Sequence, residues 1–172
     1  MATQPIDQSE LNVYVDDSRY ERIGGRLLER PLPGLEHAEL QKRIVELLSP
    51  FAEASGCKVH SEWSISDAAG NWITPDVTLS NPDWKITRRG HLIIPAHLVV
   101  EIRSVDQPLK DLFDKREYYR KWQIPFYWIV DPIERACYET EPFLSGAAIF
   151  LSCRESLHAG NIEVAVGDVF VS

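Results

Sequence analysis

A carboxylate stands inside an apolar run in Leu98-Val99-Val100-Glu101-Ile102-Arg103. Glutamate is almost never fully buried without a partner, and an ionised carboxylate in an apolar layer is very costly. Either Glu101 lies at a strand end open to water, or a positive group sits against it. Lys115 is the candidate. Glu101 lies three residues before the strand's end, about 10 Å back at strand rise. Lys115 lies seven residues into the following helix, which returns antiparallel beside the strand by about 10 Å at helical rise. The two are level, and a lysine stem is long enough to cross the sheet edge. Asp111 lies one turn above Lys115 on the same side of the helix. The preceding strand adds Asp76, in Pro75-Asp76-Val77. If those strands are neighbours, two carboxylates converge beside a lysine, each raising the other's pKa unless a cation lies between them. Oxygen ligands with open positions suit magnesium or manganese. Such an ion polarises a phosphodiester and acidifies its own water, while an adjacent lysine orients that water or stabilises charge growing on phosphorus.

The elements that must hold these groups follow from periodicity. Residues 1–19 are polar, with Leu11–Val15 as a possible short strand or docking segment. Tyr20 to Arg30 reads as a β-hairpin turning at Gly24-Gly25, and Pro31-Leu32-Pro33-Gly34 interrupts regular structure. Leu40, Ile44, Leu47, Leu48 and Phe51 recur at helical spacing, predicting a helix over 36–51 that Pro50 ends, with His37, Glu39 and Gln41 near its start. Lys58–Ser66 and Trp72–Leu79 predict two strands, the second with Pro75 at an edge or bulge. His97–Arg103 is the third, with Val99, Glu101 and Arg103 on one face. Asp106 as N-cap and Pro108 in the first turn open a helix to about Trp122. The near-continuous apolar run Phe126–Asp131 has the pattern of a parallel strand buried on both faces, completing a βαβ unit. Ala136–Thr140, Ala147–Leu151 and Ile162–Val166 predict an antiparallel meander. The fold expected is α/β, a mixed central sheet flanked by helices with an N-terminal β-hairpin.

The chain has 172 residues, enough for one well-cored domain, expected over 20–172 after the polar segment 1–19. No apolar run is long enough to span a bilayer, and the N-terminus lacks a signal peptide's basic start and apolar core, so the expected location is the cytoplasm. Three cysteines without CxxC spacing indicate neither a disulfide framework nor a cysteine zinc site. Walker A, dinucleotide-glycine, HExxH and GxSxG patterns are absent, which removes the kinase, dehydrogenase, zincin and serine-hydrolase readings. The net charge of −8 argues against a generic basic nucleic-acid binder, though not against an enzyme whose acids hold a cation that meets phosphate.

Pro75-Asp76, Glu101 within Val-Val-Glu-Ile, Asp111, Lys115, Tyr119 and Ile124-Pro-Phe-Tyr-Trp-Ile-Val-Asp-Pro132 together resemble the PD-(D/E)XK nuclease superfamily, in particular its Uma-type restriction-endonuclease branch. Tyr20-Glu-Arg-Ile-Gly-Gly25 and Pro33-Gly34 with His37 fit that branch too, so the likeness covers roughly residues 20–140. The resemblance implies a restriction-endonuclease-like fold, with Asp76 and Glu101 as ligands of Mg²⁺ or Mn²⁺ and Lys115 as a catalytic lysine moved from strand to helix. It implies DNA as the partner. Two positions depart from the superfamily. Arg103 occupies its usual lysine position and cannot deprotonate, and Gly24 stands where the branch usually has an acid. His37 occupies the branch's histidine position, with Glu36 and Glu39 nearby.

Each residue has a plainer reading. Asp83, in the turn Asn81-Pro82-Asp83, is a decoy for Asp76. Glu101 and Lys115 also make sense as a metal-free ion pair, since structural networks mimic active sites. Tyr118, Tyr119, Trp122, Phe126, Tyr127 and Trp128 read as core and a dimer face, and Lys85, Arg88 and Arg89 as a solvated loop. The expectation is a metal-dependent endodeoxyribonuclease, a homodimer. The alternatives are an inactive nuclease-fold binding or regulatory module, and an enzyme acting on a smaller phosphorylated ligand.

Overall fold

The structure is a computed structural model that describes residues 19–30, 33–140 and 149–171. The expected strand at Leu11–Val15, the break at Pro31-Leu32 and the start of the strand expected from Ala147 lie outside the described residues.

The expected hairpin forms from β1 (Tyr20–Ile23) and β2 (Arg26–Glu29). Gly24 and Gly25 turn it with φ of 58° and 78°, a region that L side chains avoid. Helix α1 (Leu35–Ser55) buries Leu40, Ile44, Leu48 and Ala52. Pro50 does not end it. Its ring removes one backbone hydrogen bond on the solvent side, while Ala52 one half-turn on is still buried, and the helix stops only at Gly56, φ 70°.

Neither of the next two predicted strands is continuous. Lys58–Ser66 divides into β3 (Val59–Ser61) and β4 (Ile65–Ser66), and Trp72–Leu79 into β5 (Trp72–Ile73) and β6 (Val77–Leu79). Both breaks fall side by side. Glu62, at φ 50°, donates its N–H to the Asp76 carbonyl at 3.0 Å, and the Ser64 and Thr74 hydroxyls meet at 2.8 Å. Pro75, with no N–H to give a ladder, marks the corner where the chain passes from one sheet to another. Asp76 therefore sits at a seam.

One sheet has five strands in the order β2-β1-β5-β4-β7, where β7 (Leu92–Ile93) was not anticipated from the sequence. The other has six, β11-β10-β9-β8-β6-β3. Its centre is β8 (Leu98–Ile102) and β9 (Phe126–Asp131), parallel and joined by α2 (Leu109–Lys121), as the βαβ pattern predicts. Asp106 is not the cap of α2; Pro108 holds that position without any side-chain hydrogen bond. Beyond β9 run β10 (Ala136–Thr140) and β11 (Ile149–Leu151), both antiparallel. The last predicted strand is instead half of a separate hairpin, β12 (Ser156–Ala159) with β13 (Ile162–Ala165), and Val166 begins the short α3 (Val166–Val169).

Alternation along the central strands divides the core in two. Val77, Leu79, Val100, Ile102 and Trp128 pack on the α1 side, and Val99, Tyr127 and Ile129 pack with Leu112 and Tyr119 of α2 on the other. The result is a mixed sheet flanked by helices with an N-terminal hairpin. Among the described residues no helix is long and apolar enough to cross a membrane.

Candidate active site

Strands β6 and β8 are antiparallel neighbours paired Val77 to Val100 and Thr78 to Val99. Carrying that register one residue further sets Asp76 opposite Glu101. Asp76 is 7% exposed and Glu101 4%. Burial of two acids side by side demands partners, and each helix supplies a pair spaced i, i+4. From α1, His37 Nε2 lies 2.9 Å from Asp76 Oδ1, and Gln41 Nε2 donates to the same oxygen at 3.3 Å. The Ile102 N–H donates to Asp76 Oδ2 at 2.7 Å. From α2, Lys115 Nζ donates to Glu101 Oε1 at 2.9 Å, and the Tyr119 hydroxyl donates to that oxygen as well. Thus α1 holds one acid from one face of the sheet, and α2 holds the other from the opposite face.

The sequence reading brought four of its residues together here: Asp76, Glu101, Lys115 and His37. It missed a third buried acid. Glu21, on β1, is 6% exposed, accepts the Thr74 N–H at 3.1 Å, and lies 4.0 Å from Lys115 Nζ and 3.8 Å from Arg30 Nε. Glutamate beside a hairpin turn reads as a solvated strand residue. The available signal was the clash between that reading and the surrounding Tyr20-Glu-Arg-Ile-Gly-Gly motif, in which Gly24, expected as the unusual position, only makes the turn. Gln41 and Tyr119 were read as helix-start and core residues, but both are donors to the paired acids.

Arg103 is not brought into this group. It lies past the end of β8, and its guanidinium turns to Asp131 at 2.8 Å and to the Gln107 carbonyl at 3.0 Å. Asp131, fully buried at the end of β9, accounts for that choice. Asp83 lies exposed in a turn, and Asp111 lines the site cavity beside Lys115.

The electrostatics follow from crowding. Burial pushes the Glu101 carboxyl up to about 7 against the pull of Lys115, and the negative Asp76 and Glu21 push it further. Lys115 goes up too: burial works against its charge, but Glu101 and Glu21 outweigh it and the ammonium form is strongly favoured. Burial likewise opposes charge on His37, yet Asp76 raises its pKa overall. His37 Nδ1 is buried with no hydrogen-bond partner among the described residues.

Asp76, Glu101, Glu21, His37 and Lys115 line a cavity of about 360 Å³. Its acids suit a hard divalent cation. A carboxylate has roughly four lone-pair directions, so the donors described leave acceptor capacity on both acids. Among the described residues no group of three or more His, Cys, Asp or Glu side chains is arranged to hold a metal ion.

A family model described as "Uma2: Putative restriction endonuclease" matches residues 9–142. No curated protein matches the chain. Among solved structures, a crystal structure of "a putative nuclease belonging to DUF820" from Anabaena variabilis is similar with a TM-score of 0.79, at 18% identity, covering 96% of this chain and 98% of that one. At that identity the likeness is one of fold. A cryoEM structure of a DrdV–DNA complex scores 0.37 at 17% identity, over 79% of this chain and 13% of that one, too low to carry an argument.

Proposed function

The chain belongs to the Uma2 family of restriction-endonuclease-like proteins, and from that premise we propose that it hydrolyses DNA phosphodiester bonds with the help of Mg²⁺ or Mn²⁺. The observation that carries the proposal is the convergence of Asp76 and Glu101 on one cavity, with Lys115 donating to Glu101 at 2.9 Å.

Asp76 and Glu101 would hold the metal. When bound, it supplies a Lewis acid for the phosphoryl oxygen and lowers the pKa of its water. The chain's own residues do the rest. His37, Gln41 and the Ile102 N–H fix the Asp76 carboxylate, and Tyr119 fixes that of Glu101. Lys115 stays charged at neutral pH, so its role is electrostatic: it stabilises negative charge gathering on the phosphoryl group rather than removing a proton. Arg103, engaged with Asp131, supports the end of the β8–β9 pair. Glu21 confines Lys115 from the hairpin side.

Conversion of supercoiled plasmid to nicked and linear forms in Mg²⁺ or Mn²⁺ tests this. Asp76→Asn and Glu101→Gln should abolish the reaction, and Lys115→Gln should lower kcat by about 10²–10³, the usual loss for one preorganised charge-stabilising donor. Equal cleavage by wild type and Asp76→Asn would refute the assignment. The inactive-module reading rests on the close engagement of Glu101 by Lys115 and Tyr119. Calorimetry showing no divalent-ion binding would favour it, and turnover of a small phosphate ester with DNA left intact would favour a smaller substrate.

A further inference from the structure

A second cavity, of about 370 Å³, lies across β1 from the acidic one. Glu21 faces the acids, and Arg22, the next residue along the strand, points the other way. Arg22 pairs with Trp72 of β5 and lines this second cavity with Arg88, Arg89, His91 and Ser66. The two adjacent arginines sit at the centre of a tight turn. Thr87 N–H donates to the His91 carbonyl at 2.8 Å, Gly90 N–H to the Thr87 carbonyl at 3.0 Å, and His91 N–H to Thr87 Oγ1 at 3.2 Å. The turn therefore presents both side chains from a fixed backbone. Arg89 and His91 also have interactions of their own within the fold.

Ser66 provides an independent observation. It is only 6% exposed and lines the same cavity, and its buried hydroxyl has no hydrogen-bond partner among the described residues. A buried hydroxyl left unsatisfied is costly, and a ligand oxygen would relieve it. Asp67, the one acid in the wall, is already occupied: Oδ1 accepts the Asn71 N–H at 2.9 Å and Oδ2 the Asn71 side-chain amide at 2.8 Å. In a chain of net charge −8, Arg22 and Arg88 facing one engaged acid make this wall locally positive. Guanidinium forks and a buried hydroxyl donor together suit a tetrahedral oxyanion.

We propose that this cavity is an oxyanion subsite that takes a backbone phosphate of the DNA, away from the bond being cleaved. The identity of the ligand as DNA rests on the nuclease reading; the oxyanion chemistry does not. The test is the anisotropy of a short fluorescein-labelled duplex across a KCl series, in an Asp76→Asn background so that the duplex stays intact. Arg22→Gln and Arg88→Gln should each weaken binding several-fold and lower the slope of log K against log salt by about 1. Ser66→Ala should weaken binding without lowering Tm, because the hydroxyl has no partner to lose. Inorganic phosphate should shift the Ser66 and Gly90 amide resonances in the parent and not in the Arg22→Gln/Arg88→Gln double variant.

Unchanged affinity and salt slope in the arginine variants would overturn the proposal. Phosphate-dependent shifts without any effect on duplex binding would place a free phosphorylated ligand there and overturn the DNA assignment. Arginine-dependent binding by a wild type that never cleaves would instead sink the nuclease reading and leave this subsite standing.

Discussion

Glu101 is the residue on which the site's chemistry turns, because it is an acid buried between other acids and held by two donors from one helix. Its carboxyl goes from an ordinary value of 4.5 to about 7, chiefly through burial. A carboxyl with a higher pKa folded than unfolded binds its proton more tightly in the folded state. The stability this contributes is complete below pH 4.5 and is lost as pH rises through about 7. Lys115 does not offset that loss in this range, since it is charged throughout. In metal-free protein, urea unfolding should therefore show stability falling between pH 4.5 and 7 relative to Glu101→Gln, whose side chain does not titrate. Parallel pH profiles for the two proteins would show that Glu101 is not strained. At this scale the sequence was informative wherever a residue violated its setting. A glutamate among Val and Ile announced itself, and the equal travel along strand and helix located its lysine. Glu21 was marked only by the motif around it, and Gln41 by nothing local; their burial comes from hairpin and helix packing that no spacing rule encodes.

At the scale of elements, α1 shows where periodicity and local propensity disagree. Its buried stripe runs on through Ala52, while Pro50 argues for a stop in the second turn from the end. Packing won, because the proline ring faces solvent and only one hydrogen bond is lost. Replacing it should help: Pro50→Ala is expected to stabilise the protein by about 1–2 kcal/mol, a helix-interior penalty of about 3 kcal/mol less the roughly 1 kcal/mol by which proline restricts the unfolded chain. Chemical denaturation measures this, and a destabilised variant would show that the proline's fit at this position outweighs the lost hydrogen bond. The βαβ unit and the hairpin were legible because long apolar runs and a Gly-Gly turn leave few alternatives. The sheet switch at Glu62 and at Pro75 was not, since alternation continues through both breaks and only the pairing partners change. That corner leaves Asp76 just before β6, lining the same cavity as Glu101.

For the whole molecule, the arrangement is an acidic cavity and a basic one on opposite sides of a two-residue step in β1, within a chain of net charge −8. Of the aromatics expected as core and a dimer face, Tyr119, Tyr127 and Trp128 are core, while Tyr118 is 39% exposed. Sedimentation of wild type as a dimer is the outcome the expected homodimer requires, and a monomeric wild type would reject it.

The cleavage proposal depends on a divalent ion held by the Asp76 and Glu101 carboxylates. Anomalous scattering from a crystal soaked in Mn²⁺ locates that ion directly. The account predicts one strong peak within bonding distance of both Asp76 and Glu101, lost in Asp76→Asn. A soaked crystal with no peak there, while Mn²⁺ is ordered elsewhere on the chain, would contradict it.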